Sequence, residues 1–454
     1  MEVLQRTANR GSIATGSYEI DNSLKLESDN AEYIDNRHNN AGNRRTWTLS
    51  FWIKRTELGT TQKPYDSGNA ASGPHFTSGD ALSVENSDLY LVTNRVFRDT
   101  SAWYHIVLLN DSTQSTASNR AKLWINGVQE TSFSSETYMA QNQEGNVNSA
   151  TSVSIGGGGG AHVNGYMAEL FFVDGQALAP TDFGEYDSDS GIWVPKEYDG
   201  TLSGTSIKLD FSNSAALWED SSGLTGNGTV MSGNNITSAD QATDTPTNNF
   251  CTWNPLWAYP NTATVGNGGT SSIGGASSVW RGSKGTIGLT NGKWYWEQKA
   301  NGNDTIVGWQ TENVISVTGT NAHNVNDTIA LYEAGNYIWL RDETSGRNDT
   351  AVSGSYANGQ IVGFALDLDS SPQTATFYRN GSAIASNVNI DGLTGKTIFP
   401  FTSHYQQTSN ANFGGYTNIS DAHTNTDENG YGAFVYTPPS GYYAICTKNL
   451  AEYG

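Results

Sequence analysis

The 454-residue sequence is poor in cysteine, proline and methionine, and it contains no apolar run long enough to cross a membrane. A membrane-spanning helix needs about 18 to 20 apolar residues. The longest apolar segments here, Trp103–Leu109 and Met167–Val173, have the length of a β-strand. The segment Met1–Gly16 has no apolar stretch after its first charges. We therefore expect no secretory signal, no membrane insertion and synthesis in the cytoplasm of the producing cell.

Only two cysteines are present, Cys251 and Cys446. Two cysteines cannot build a disulfide framework, and neither lies at the spacing of a zinc-binding pair. They are interpreted as two buried thiols, with a single bridge between the ends of one domain as the alternative.

Basic residues are scarce. Lys and Arg together number 24 against 45 Asp and Glu, which gives a formal net charge of −21. A field of this sign repels phosphate groups, so the sequence argues against nucleic acid as a partner and against attachment to anionic lipid. Charged residues make up only 15% of the chain, below the roughly 25% of typical globular domains.

Aromatic residues and glycine are abundant instead. The chain has 13 Trp, 22 Tyr and 15 Phe, together with 50 glycines, and aromatic side chains bury large areas when they pack. Several segments, most clearly Thr46–Lys54, alternate with the period of two that a half-buried strand requires. No ten-residue segment has helical periodicity. The sequence thus predicts an all-β protein with well-formed cores.

Two parts of the chain repeat the same order of signals. A short alternating strand runs into Asn126-Gly127 in the first half and into Asn380-Gly381 in the second half. Asn-Gly after such a strand predicts a type I′ hairpin, because both central residues need a positive φ. The similar order of strands around each hairpin favours two sandwiches of related architecture.

The stretch from 212 to 250 is rich in Ser, Asn, Thr and Gly and offers little to bury. This composition is typical of a linker. We predict an anchoring segment at 1–17, a first sandwich at 18–211, the linker at 212–250 and a second sandwich at 251–454. Within the first sandwich, the Gly-, Asn- and Ser-rich segment 59–79 is predicted to be a loop.

Short motifs in each half resemble known sandwich families. Segments 47–55, 103–107 and 164–174 resemble strands of a laminin-G-like, concanavalin A-type jelly roll. Segments 292–297 and 362–369 resemble strands of a SPRY domain, which belongs to the same sandwich class. The resemblance implies two tandem antiparallel β-sandwiches, a concanavalin A-like jelly roll followed by a SPRY-like sandwich.

The combination of both modules is similar to virion proteins of marine tailed phages of the cyanophage type, over roughly residues 18–450. The connecting motifs Asp220-Ser-Ser-Gly223 and 244–249 contribute to this resemblance, as does the ending after Pro438-Pro439. It implies a virion location and a host cell-surface glycan or protein as ligand. It also implies other virion proteins and copies of the chain itself as partners, for example in a trimer. No heptad pattern is present, so a trimer would not form through a coiled coil.

The concanavalin A fold also occurs in laminarinase-type glycosidases, which place carboxylates on one strand in the pattern Glu-x-Asp-x-x-Glu. The nearest segment, 185–190, ends in Ser190 and is typical of a turn, while Glu169 is a single carboxylate in an apolar strand. No Gly-x-Ser-x-Gly motif of a serine nucleophile occurs. We therefore expect no catalytic residues, and a glycoside hydrolase remains one alternative.

The seven histidines include no i, i+2 or i, i+4 pair. No transition-metal site and no cofactor is therefore predicted. A calcium site is left as an alternative, because laminin-G-like folds often bind calcium through loop carboxylates. Here these would be the carboxylates of Glu185, Asp187 and Asp189.

Three segments of the second sandwich place aromatic and basic residues at or near predicted loops. Aromatic faces can stack on sugar rings, and Arg or His can hydrogen-bond hydroxyl groups. Core packing is the alternative for each aromatic residue. The candidate ligand-binding residues are Trp280, Arg281, Tyr337, Trp339, Arg341, His404 and Tyr405. The sequence thus predicts a non-enzymatic appendage such as a tail fibre, spike or adhesin, with a structural head-decoration or capsid-fibre protein as the alternative.

Overall fold

The structure is a computed structural model, and it describes a set of ranges that together cover most of the chain. These ranges are 18–38, 40–68, 72–224, 229–257, 263–275, 279–300, 304–312, 327–332, 337–342, 346–352 and 357–454. The chain divides into two compact units, one ending at Thr247 and the other running from Asn248 to Gly454. In the described residues, regular structure is almost entirely antiparallel β-sheet, which confirms the predicted all-β class. The predicted anchoring segment 1–17 lies outside the described residues.

The first unit is a sandwich of antiparallel sheets, with strands numbered here in chain order. Its larger sheet follows the order β10 (Val128–Gln129), β9 (Ala121–Ile125), β8 (Tyr104–Asp111), β3 (Thr46–Arg55), β13 (Gly165–Asp174), β1 (Ser23–Leu26) and β18 (Gln241–Ala242), and β16 (Ile207–Leu209) also pairs with β13. The second layer contains β11 (Phe133–Thr137), β7 (Leu89–Val96), β6 (Ala81–Asn86) and β5 (Gly73–Phe76), and also β17 (Thr229–Asn234), β2 (Tyr33–His38), β12 (Ser152–Ile155) and β4 (Tyr65–Ser67). A separate hairpin joins β14 (Gly184–Tyr186) to β15 (Trp193–Pro195).

The core of the first unit follows the period of two. On β3, the side chains of Leu49, Phe51 and Ile53 are buried in one cluster, while Trp52 faces the other side of the sheet. The alternation predicted for this strand is therefore confirmed. The predicted half-burial is wrong, because Thr48, Ser50 and Lys54 on the other face are buried as well. On β13 the pattern shifts at a β-bulge, where Glu169 has a positive φ of 40°. A bulge adds one residue to one strand and turns the following side chains to the other face.

Both predicted Asn-Gly hairpins are confirmed. Asn126 and Gly127 have φ values of 48° and 76°, and they connect β9 to β10. Asn380 and Gly381 have φ values of 47° and 76° in the second unit. These are the left-handed conformations that a type I′ turn requires.

The predicted linker at 212–250 differs from the structure. It contains β17, which pairs with β2, and β18, which pairs with β1, so both strands complete sheets of the first unit. The segment is polar because these are short strands at sheet edges, and their pairing depends on backbone hydrogen bonds more than on apolar side chains. The predicted loop at 59–79 likewise contains β4 and β5.

A buried ion pair ties the end of this unit to its larger sheet. The Nζ of Lys54 on β3 lies 2.7 Å from Oδ2 of Asp244, and both side chains are at most 1% exposed. The indole N–H of Trp103 donates to Oδ1 of the same carboxylate at 3.1 Å, and Ser23 Oγ donates to the Asp244 carbonyl at 2.6 Å. Such a pair is stable only because each charge has its partner in a site that excludes water.

The second unit is also built from antiparallel sheets. Its larger sheet has the order β19 (Thr264–Gly266), β20 (Ser271–Ile273), β31 (Thr408–Asn412), β22 (Lys293–Ala300), β27 (Ile361–Asp367), β28 (Thr374–Arg379) and β29 (Ser382–Asn389), and β32 (Tyr443–Ala444) pairs with β22 in parallel. The other sheet has the order β21 (Trp280–Lys284), β30 (Ile398–Tyr405), β23 (Thr305–Thr311), β24 (Thr328–Tyr332), β25 (Tyr337–Asp342) and β26 (Gly346–Ala351). Helix α1 (Thr447–Tyr453) closes the chain.

Aromatic side chains fill the core between these two sheets. The ring of Trp296 stacks on the rings of Phe364 and Phe413, with centroids 4.5 Å and 5.3 Å away. It contacts the ring of Trp253 edge to face, with centroids 5.6 Å apart. Each such ring buries a large apolar area. The aromatic content of the sequence is thus used in packing, as predicted.

A buried carboxylate holds the C-terminal segment of the second unit. Glu297 on β22 accepts hydrogen bonds from the backbone N–H groups of Val435 and Tyr436, both at 2.8 Å. It also accepts from the hydroxyl of Tyr295 at 3.0 Å and from the amide of Asn412 at 3.3 Å. Burial nevertheless raises the pKa of Glu297 to about 7, because these hydrogen bonds do not fully offset the loss of water.

The two cysteines are both buried in the second unit and form no disulfide bond. In the described part of the chain, no helix combines the length and the apolar character that crossing a bilayer requires.

The buried ion pair yields a stability prediction. Asp244→Ala removes the partner of Lys54, and we expect the free energy of unfolding to fall by about 3 kcal/mol or more, because an uncompensated ammonium then stays buried. Urea unfolding of the full chain, followed by tryptophan fluorescence, measures this. Glu144→Ala is the control, since Glu144 pairs with Arg44 and Arg45 at the surface and is 51% exposed. Its loss should cost less than about 1 kcal/mol, and equal effects of both substitutions would contradict the prediction.

Candidate functional site

The structure brings several predicted ligand-binding residues onto neighbouring strands of one sheet of the second unit. Trp280 and Arg281 lie on the edge strand β21, and they pair in register with Tyr405 and His404 on β30. The rings of Trp280 and Tyr405 have centroids 6.0 Å apart. Trp280, Arg281 and Tyr405 are all half-buried, so part of each side chain is accessible. Arg281 is paired with His404 and lies on the opposite face of the sheet, because neighbouring residues of a strand point to opposite faces. We call Trp280 and Tyr405, which share one face, the Trp280–Tyr405 patch.

His404 does not belong to that patch, contrary to the prediction. Its side chain is fully buried, and its Nε2 lies 2.7 Å from Ser272 Oγ, which in turn lies 2.8 Å from Ser283 Oγ. Burial and the nearby Arg281 charge lower the pKa of His404 to about 4. Neighbouring residues of a strand point to opposite faces, so Tyr405 reaches the surface while His404 faces inward.

Trp339 is also buried, with 6% exposure, and packs in a small cluster with Ile306, Ala330 and Phe401. The core-packing alternative therefore holds for Trp339. Tyr337 and Arg341 lie on β25 with Trp339, but their side chains fall outside the described residues.

A serine and a histidine meet in the first unit, although no sequence motif predicts it. His105 Nε2 lies 2.9 Å from Ser50 Oγ, and the indole N–H of Trp193 donates to His105 Nδ1 at 2.9 Å. An indole nitrogen can only donate, so Nδ1 carries no proton and Nε2–H donates to Ser50. Burial lowers the pKa of His105 to about 3. His105 therefore cannot take the Ser50 proton, and this pair lacks the arrangement of a nucleophile and its base.

The single carboxylate singled out in the sequence, Glu169, lies in the bulge of β13. Its side chain is 4% exposed and accepts a short hydrogen bond from the Tyr18 hydroxyl. Burial raises the pKa of Glu169 to about 7, although Tyr18 and the charge of Lys208 act in the opposite direction. Strained backbone and a perturbed pKa often mark functional positions. Here both follow from a bulge covered by Tyr18.

The acidic segment 185–190, which was predicted to be a turn, begins on a strand. Glu185 belongs to β14, and the turn covers 188–190. Asp187 accepts hydrogen bonds from the backbone N–H groups of Asp189 and Ser190 and from the Ser190 hydroxyl. These bonds lower the pKa of Asp187. Among the described residues, no group of three or more His, Cys, Asp or Glu side chains is placed to hold a metal ion.

A cleft in the first unit was not found by sequence reasoning. It lies where β9 and β10, at the edge of the larger sheet, meet β11 of the second layer, and it has a volume of about 360 Å³. We call it the edge cleft. Its lining combines half-buried rings with polar side chains and includes Ser118, Asn119, Lys122, Gln129, Glu130, Thr131, Phe133, Glu136 and Tyr138. These residues carry no motif, since they come from three strands and a short connecting helix.

Comparison with known families supports a concanavalin A-like domain in the first unit. Residues 27–182 match the family model described as the concanavalin A-like lectin/glucanases superfamily. The match covers the strands from β2 to β13 and includes the edge cleft. No curated protein matches the chain.

Solved structures with some similarity include two SPRY domains. The crystal structure of the SPRY domain of human HERC1 has 16% sequence identity and a TM-score of 0.27, and the alignment covers 33% of this chain and 91% of that chain. The crystal structure of the TRIM65 PSpry domain also has 16% identity, with a TM-score of 0.28 and coverage of 35% and 87%.

The strand topology and the family match together define the class of protein. The chain is an all-β protein with a concanavalin A-like sandwich at residues 27–182 and a second antiparallel β-unit after it. Lectin-like sandwiches of this kind suggest a binding role.

The buried carboxylate of Glu169 generates a prediction on pH dependence. The folded protein releases this proton near pH 7, whereas the unfolded chain does so near its ordinary value of 4.5. The contribution of protonated Glu169 to the free energy of unfolding is therefore complete below about pH 4.5. It is lost as the pH rises through about 7. Glu169→Gln keeps an acceptor for Tyr18 and removes the titration.

We expect the Gln variant to match the unsubstituted protein at pH 4 and to exceed it by about 1 to 3 kcal/mol in unfolding free energy at pH 8. Urea unfolding of both proteins at the two pH values measures the difference. Glu297 titrates equally in both proteins and cancels. A variant that is less stable by the same amount at both pH values would show that Glu169 is ionised throughout.

Proposed function

We propose that this protein is a non-enzymatic appendage protein of a phage virion, such as a tail fibre, spike or adhesin, that binds a host cell-surface glycan. The observation that carries the binding role is the concanavalin A-like sandwich at residues 27–182. The assignment to a virion rests on the motifs that resemble tailed-phage proteins and on the order of the two modules.

The surface that supports recognition in the second unit is the Trp280–Tyr405 patch. Two aromatic rings lie side by side at the edge of a sheet, and the Tyr405 hydroxyl adds a group that can donate and accept hydrogen bonds. Stacking on a sugar ring and hydrogen bonding to its hydroxyl groups are the contacts that such a set can make.

The net charge of −21 shapes how attachment would work. Bacterial surfaces are mostly anionic, so long-range attraction does not assist the encounter. Local contacts must supply the affinity, and several copies of the chain on one particle would raise it through avidity. Assembly with other virion proteins and with copies of itself is therefore part of the proposal.

Glycan binding by the full-length chain tests the proposal. A fluorescently labelled protein is applied to an array of bacterial surface polysaccharides and algal glucans, and saturable binding to at least one of them is expected. Tyr405→Ala and Trp280→Ala should each weaken that binding about tenfold, because each removes one stacking surface. Leu256→Ala removes an exposed apolar side chain, 52% accessible, from the same unit and should leave binding unchanged. Thermal melting checks that each variant folds.

Two other outcomes would replace the proposal. Absence of binding to every glycan and to whole host cells would favour a structural role in the head or fibre. Release of reducing ends from algal β-glucans in a parallel assay would show a glycoside hydrolase.

A further inference from the structure

The edge cleft has polar side chains that the fold does not use. Ser118, Asn119, Lys122 and Gln129 make no side-chain hydrogen bond or ion pair with any described residue. Their neighbour Arg120 shows the contrast, because it donates to the carbonyl groups of Gln114, Ser115 and Met139 at 2.8 Å each. Donors and acceptors left free around a concave space are what a polar ligand requires.

The two acidic residues of the cleft are already engaged. Glu130 is buried, pairs with Arg95 at 3.1 Å and accepts from the backbone N–H groups of Thr131 and Ser132. Glu136 accepts from the Tyr138 hydroxyl at 2.6 Å. The two carboxylates therefore repel an anionic ligand, but they do not need a cationic ligand, because they already have partners. The ammonium group of Lys122 repels a cationic ligand. A neutral polar ligand fits this balance.

Two aromatic rings give the cleft an apolar wall. Phe133 and Tyr138 are half-buried and pack against the hydrophobic core of the first unit, which fixes their orientation. The flat face of a sugar ring presents C–H groups that pack on such rings, while its hydroxyl groups reach the polar side chains. The volume of about 360 Å³ lies in the roughly 300 to 1,000 Å³ range of small-molecule sites.

We propose that the edge cleft is a binding site for a neutral saccharide of one or two rings, stacked against Phe133 and Tyr138 and hydrogen-bonded by Asn119, Lys122 and Gln129. The site builds on the proposed glycan-binding function and assigns a ligand class to the first unit. It is separate in sequence and in unit from the Trp280–Tyr405 patch.

The test uses the full-length chain and a defined panel of probes. Glucose, galactose, N-acetylglucosamine, maltose, cellobiose and laminaribiose are the neutral probes, and glucuronic acid and glucose 6-phosphate are the anionic ones. Saturation-transfer NMR detects binding and calorimetry measures affinity. We expect at least one neutral probe to bind, and the anionic probes to bind at least tenfold more weakly or not at all.

Substitutions then place the site. Tyr138→Ala and Gln129→Ala should each reduce the affinity at least tenfold, while Tyr138→Phe keeps the ring and should lose less than Tyr138→Ala. Tyr186→Ala is the matched control, because Tyr186 is a 54% exposed tyrosine of the same unit that does not line the cleft. Unchanged near-ultraviolet circular dichroism shows that each variant is folded.

Each result decides between clear alternatives. No binding of any neutral probe, or equal binding of anionic probes, overturns the cleft proposal. Binding that survives in the cleft variants but is lost in Trp280→Ala also overturns it, while the proposed glycan-binding function stands. If binding to the glycan array is lost neither in the edge-cleft variants nor in the Trp280 and Tyr405 variants, the ligand binds elsewhere on the protein and not in the edge cleft.

Discussion

The first unit depends on the ion pair between Lys54 and Asp244 for its final shape. Lys54 lies in a central strand with no access to water, and the cost of removing an ammonium from water amounts to several kcal/mol. Only a carboxylate at the same place can offset this cost. The chain must therefore return across the sheet at 240–247 before the second unit begins, and Trp103 and Ser23 fix the carboxylate and its backbone in position.

The same principle governs other polar groups on both sandwiches. His105 is satisfied by Trp193, and Glu297 by the backbone of Val435 and Tyr436, and in each case the partner comes from a distant part of the chain. Segments outside the main sheets thus cover polar groups that would otherwise lose their hydrogen bonds. The two accessible surfaces for which we propose recognition, the edge cleft and the Trp280–Tyr405 patch, lie instead at the edges of sheets.

Features set by neighbouring residues, such as hairpin turns, could be predicted from the sequence. Features that depend on pairing between distant residues could not. The hairpin at Asn126 follows from the φ preferences of two residues, so it was predicted correctly. The strands within 212–250 depend on pairing with partners some 200 residues away, which composition cannot show. Strand alternation could have placed His404 and Tyr405 on opposite faces, but only the structure shows which face is covered. The edge cleft arises where two sheets meet, so its residues share no spacing.

The buried thiols have a consequence for the conditions under which the fold persists. Since Cys251 and Cys446 form no disulfide bond, formation or reduction of a bridge between them plays no part in the fold. Burial raises the pKa of Cys446 to about 12, so almost none of this side chain is a reactive thiolate at neutral pH. The fold is therefore reached with both thiols reduced, and no oxidative step is part of it.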